Sequence, residues 1–233
     1  FTEGPIIPML LRFALPFLLA SILNNLYSTV DMIVIGRFAG NLGTAAVTSG
    51  GKLLNVFTMV SMGLSAAGQL YIAQSVGAGR RKDTNVAIGT LFSVLLAAAV
   101  ILSAGTCLLS DRIMVWMNTP QELYPSAIAY LRIASVGLPL IYGYEVISAI
   151  LRGMGDSKTP LVFIAIATAV NLILDIVFVA CLGMGAAGTA LATVIGQGVS
   201  LAVSLCFLYR HRDRFGFDFQ PESFRPDGRI LKI

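Results

Sequence analysis

Charge is what this 233-residue chain has least of. Asp, Glu, Lys and Arg together make up 12% of it, about half the share found in an ordinary soluble domain. With 56% hydrophobic residues and a mean hydropathy of +0.82, the chain is not a water-soluble globular domain. Histidine occurs once, at His211 among arginines, and reads as interfacial rather than as a metal ligand. The three cysteines, Cys107, Cys181 and Cys206, all fall inside apolar runs, where a thiol behaves as a small hydrophobe, so neither a disulfide framework nor a metal site is expected. The one tryptophan, Trp116, stands where an apolar run ends, an interfacial position. No HExxH, GxSxG or Walker A pattern occurs, so no enzyme activity and no cofactor is expected. The net charge of +4 comes from short clusters beside apolar segments, which topology explains better than nucleic acid does.

What the chain does have is long uncharged runs, at 53–79, 84–110, 159–174 and 176–209. About 20 such residues cross a bilayer. The expected fold is all-α: a polytopic membrane protein whose lobe at 1–214 holds six transmembrane helices, at about 8–36, 44–77, 84–109, 121–152, 160–182 and 188–209. Pro16 falls inside the first helix and Gly137 with Pro139 inside the fourth, where a missing backbone donor favours a bend. Arg37 to Gly43 reads as a turn. Lys and Arg gather in alternate loops (Arg80, Arg81, Lys82; Arg152, Lys158; Arg210, Arg212, Arg214), against only Arg37 and Arg112 opposite. That asymmetry places both termini in the cytoplasm of a plasma (inner) membrane. Residues 215–233, with Pro221, Pro226 and Gly228, read as a cytoplasmic linker. Weak internal echoes, Asp31 with Gly43-Thr44-Ala45-Ala46 and Asp175 with Gly188-Thr189-Ala190-Leu191-Ala192, fit the repeat construction common in transporters.

Against that apolar background the buried polar residues carry the chemistry. Residues 13–30 have no charge, and then comes Asp31. A carboxylate at membrane depth costs about 2.5–3.5 kcal/mol, so it is functional by default. Asn24 lies seven residues earlier on the same helical face, with Tyr27 and Ser28 between. Asn171 and Asp175 share a face at i, i+4, and Thr193 and Gln197 repeat the spacing on the next helix. Carboxylate, amide and hydroxyl oxygens suit Na⁺, and paired buried carboxyls equally suit a proton. Taken singly, Asn, Thr and Gln also serve to glue membrane helices together. Glu145 either faces the same cavity or pairs with Arg132 or Lys52, and Tyr130 serves equally as packing or cavity lining.

Five stretches in order resemble the N-terminal lobe of the MATE (multidrug and toxic compound extrusion) family. These are Leu15-Pro16 with Val30-Asp31 and Gly36; Gln74 to Arg80; Leu151 to Pro160; Asn171 with Asp175; and Gly185 to Thr193. The resemblance implies a twelve-helix antiporter of two six-helix lobes, exporting cationic or amphipathic compounds against Na⁺ or H⁺. It implies a cation or proton site at Asp31, Asn171, Asp175 and Thr193, which would also be the Na⁺ ligands. Asn24, Tyr27, Tyr130, Glu145 and Gln197 would line the cavity, and Pro16 and Pro139 would serve conformational change. A small-molecule substrate, membrane lipid and a second six-helix lobe, from the same gene or a partner chain, are the expected partners. Glu145 departs from the amide expected there. The alternatives are a lipid-linked oligosaccharide flippase of the same superfamily, which needs a more cationic cavity, and a membrane interaction protein that does not transport.

Overall fold

The computed structural model describes residues 6–211, so the expected linker at 215–233 lies outside the described residues. The described chain is helical almost throughout. Helix α1 (Ile6–Gly77) would be about 108 Å long if straight, against a hydrocarbon core of about 30 Å. It is broken instead at Gly40, whose φ of 65° and ψ of −164° lie where a side chain is not tolerated. Its two limbs, 6–39 and 41–77, are the first two spans. The break is a single residue, not the seven-residue turn expected at 37–43, because one glycine suffices to reverse the chain's course.

Helix α2 (Arg81–Trp116) runs seven residues beyond its expected end at 109, absorbing Asp111 and Arg112. A 3₁₀ turn (Gln121–Leu123) leads into α3 (Tyr124–Val136) and α4 (Leu138–Gly153), bent from one another by 44°. The bend falls between Gly137 and Pro139, and Pro139 occupies the first turn of α4, where its missing N–H costs nothing. Helix α5 (Lys158–Asp175) begins under a side-chain cap: Asp156 Oδ1 accepts the backbone N–H of Lys158 and Thr159 at 3.2 and 3.0 Å. The expected helix over 160–182 is interrupted directly after Asp175, where Ile176–Cys181 forms a wider π-helical turn. Helix α6 (Gly185–Arg210) follows a turn with left-handed Gly183 and Gly185. Counting each limb of α1 and taking α3 with α4 as one bent span gives six crossings.

Packing brings these spans into one bundle. A cluster of Ile72, Ile88, Leu95, Leu138, Tyr142 and Ile150 joins the second limb of α1 to α2 and α4, and the Tyr142 hydroxyl donates across to the Phe57 carbonyl at 2.8 Å. Nearer the Gly40 break, Ile35, Val47, Met114, Leu131 and Val179 form another. Helices α5 and α6 approach closely at Gly196: a Cβ there would stand 3.1 Å from the Ala167 carbonyl and 3.2 Å from Asn171 Cβ. Large apolar side chains such as Leu10, Leu18, Ile101 and Leu108 cover the outside. Such a surface fits lipid rather than water.

Candidate functional site: a carboxyl pair between the first limb of α1 and α5

The polar residues of the first limb meet α5 and α6 inside the lobe. Asp31 is 9% exposed and Asp175 fully buried. The two carboxyl groups face one another closely enough to interact directly, although they come from positions 144 residues apart. Asn171, one turn before Asp175, lies against that carboxyl. Neither oxygen of Asp175, neither polar atom of the Asn171 amide, and not Oδ1 of Asp31 has a hydrogen-bond partner of good geometry. Buried polar atoms are almost always paired, so four partnerless oxygens beside one partnerless amide NH₂ mark a candidate site for a cation or proton.

Tyr27, one turn before Asp31, links the pair to α6. Its hydroxyl donates to Thr193 Oγ1 at 2.8 Å, and Thr193 Oγ1 donates to the Thr189 carbonyl at 2.9 Å. Thr193 therefore joins the site through Tyr27. Beside this linkage a shallow polar cleft is lined by Asn24, Tyr27, Thr168, Asn171, Thr193 and Gln197 with Ile164, Ala167 and Gly196. The Gln197 Oε1 also lacks a partner. The ring of Tyr130, from α3, rests on the second limb, where a Cβ on Gly50 would come within 2.7 Å of it.

Other expected residues stand elsewhere. Glu145 lies with Arg152, Oε2 to Nη2 at 3.8 Å, and not with Arg132 or Lys52. Arg132 is engaged by Asp111 at 2.8 Å and by the Ser110 hydroxyl at 2.7 Å. The i, i+7 spacing of Glu145 and Arg152 puts them on one face of α4 and was the available signal. Pro16 is buried inside the first limb, four turns from Asp31. The π turn after Asp175 had no such signal, since Ile-Val-Phe-Val-Ala-Cys contains no helix breaker. π turns recur at functional sites, and this one adjoins the buried acid.

Among the described residues no three His, Cys, Asp or Glu side chains converge. The site is thus two carboxyls with neutral amide and hydroxyl oxygens. That donor set suits a hard ion of low charge, or a proton shared between the carboxyls, and lacks the soft or imidazole ligands of a transition-metal site.

Comparison with known proteins bears on the family and the fold. Residues 16–177 match the MatE family. The chain is 32% identical over 214 residues to the probable multidrug resistance protein YpnP of Bacillus subtilis (strain 168), an alignment covering 91% of this chain and 48% of that protein. It is 27% identical over 210 residues to the probable multidrug resistance protein YoeA of the same organism, covering 88% and 45%. In fold it superposes on the crystal structure of a proline-to-alanine mutant of a MATE protein with a TM-score of 0.91, at 24% identity, covering 99% of this chain and 51% of that one. The chain therefore spans about half the length of the curated relatives it matches.

Proposed function

Because the chain belongs to the MatE family of membrane transporters, we propose that it forms one six-helix lobe of a two-lobe antiporter. The antiporter exports cationic or amphipathic compounds in exchange for Na⁺ or H⁺. The observation that carries this reading is the buried carboxyl pair Asp31 and Asp175, three of whose oxygens lack a hydrogen-bond partner. Two carboxylates facing one another at membrane depth repel unless a cation or proton stands between them. An ion or proton there draws the first limb toward α5, with Asn171 supplying an amide oxygen and Thr193 held at the rim by Tyr27. Its release restores the repulsion and frees the limb to bend at Pro16. The polar cleft beside the pair is where a substrate cation would compete for the same acceptors. The second lobe supplies the other wall of the cavity, since alternating access needs two bodies rocking about a central site.

The lipid-linked flippase reading needs cations in the cavity. Arg132 is taken up by Asp111, which leaves Lys52 as the remaining candidate of the two, so nothing favours it. The test is drug efflux from cells expressing the gene, driven by an imposed Na⁺ or pH gradient. Asp31→Asn and Asp175→Asn are each expected to lose gradient-driven export by tenfold or more, of the order seen when a buried charged interaction of about 1.4 kcal/mol or more is removed. Export that persists in both variants would overturn the ion-site reading.

A further inference from the structure

Outside the carboxyl pair, one other cluster of charge is enclosed within the bundle. Arg152, in the last turn of α4, and Glu145 have side chains only 16% and 20% exposed. Arg152 Nε donates to Gln69 Oε1, on the second limb of α1, at 3.0 Å. Its Nη2 lies 3.8 Å from Glu145 Oε2, and its guanidinium carbon stands over the Phe17 ring at 5.8 Å from the centroid. Phe17 directly follows Pro16 in the first limb. We propose that Arg152 is a latch that pins the proline-bearing part of the first limb to the second limb and to α4.

The geometry follows from the shape of the guanidinium. It is planar, so its edge can hydrogen-bond while its face stacks on an aromatic ring. Gln69 and Glu145 hold the edge, and the face is left for Phe17. The anchoring side of the latch is rigid: a Cβ on Gly153 would be 2.9 Å from the Gln69 carbonyl, so α4 and the second limb touch backbone to backbone there. The other side is less embedded. Leu10, Leu11, Leu15, Leu18 and Leu19 around Phe17 are exposed, while Pro16 itself is buried. A proline inside a helix removes one backbone bond and makes that turn pliable. A weak stacking contact beside a pliable turn is what a reversible latch requires.

The latch rests on the reading of Pro16 as the bending point of the first limb, but its test needs neither ion nor drug. With Cys107, Cys181 and Cys206 replaced, spin labels at Leu10→Cys and Leu70→Cys report the distance between the limbs on the far side of Pro16. Labels at Ile33→Cys and Val56→Cys report it on the near side. In the protein in lipid nanodiscs, Phe17→Leu and Arg152→Lys are each expected to broaden and lengthen the first distance and leave the second unchanged. Arg152→Lys keeps the charge but loses the plane, and Phe17→Leu keeps the apolar volume but loses the ring. The double variant should go no further than either single one, and Phe17→Trp should narrow the distribution. Overturning outcomes are an unchanged Leu10–Leu70 distance in both single variants, additive effects in the double variant, or equal change at the near-side pair. Persistent efflux in the carboxyl variants would leave this result standing, so the two readings fail separately.

Discussion

Neither oxygen of the buried Asp175 carboxyl has a hydrogen-bond partner of good geometry, and it lies beside a second carboxyl across the α1–α5 contact. Leaving buried acceptors unsatisfied costs roughly 1–3 kcal/mol, more when they are charged. An amide in that place is neutral, and its NH₂ can donate to Asp31. Asp175→Asn is therefore expected to raise the melting temperature of the purified protein in Na⁺-free detergent, by the equivalent of about 1–2 kcal/mol. Added Na⁺ should stabilise the unsubstituted protein and leave the variant unmoved. A variant that melts lower without Na⁺, or still responds to it, would show that the carboxyl serves packing rather than an ion. Each acid was legible in the sequence, since a charge in an apolar run announces itself. Spacing alone does not bring Asp31 to Asp175; only the family resemblance grouped them, because the meeting depends on how the first limb crosses α5. The same holds for Thr193, which i, i+4 spacing groups with Gln197 but which the fold ties to Tyr27.

At the scale of the helices, uncharged runs locate the spans and leave their joints obscure. A run records only that no charge intervenes, so the extension of α2 to Trp116 and the π turn at Ile176–Cys181 leave no mark in it. Proline and glycine do leave one, which is why the α3–α4 bend at Gly137 and Pro139 lies where the sequence places it. Gly40 gives the sharper test of how a joint is made. A Cβ there would meet nothing within 4 Å, so a substitution is penalised by the backbone alone. Gly63 and Gly105 also have open space around them but sit at ordinary helical angles. Gly40→Ala is expected to destabilise the protein by about 1–3 kcal/mol, whereas Gly63→Ala and Gly105→Ala should gain up to about 1 kcal/mol from helix propensity. Thermal unfolding in one detergent compares all three. The same sign at all three positions would mean that the break is not set by the glycine conformation.

For the molecule as a whole, orientation in the membrane decides which way the site opens. Helix α2 (Arg81–Trp116) is about 54 Å long, so it overshoots a hydrocarbon core of about 30 Å and stands tilted, projecting, or both. One end carries Arg80, exposed and paired with Asp83 at 3.4 Å, in the stretch that also holds Arg81 and Lys82. Near its other end Asp111 pairs with Arg132. The lysine and arginine asymmetry of the loops predicts that the Arg80 and Lys158 loops face the cytoplasm. With Cys107, Cys181 and Cys206 replaced, a membrane-impermeant maleimide is expected to label Glu122→Cys in intact cells. Lys158→Cys should react only after permeabilisation, because its loop lies on the Arg80 side of the bundle. The reverse pattern would turn the lobe over. The first limb would then run from the outside inward, and the ion held by Asp31 and Asp175 would face the opposite gradient.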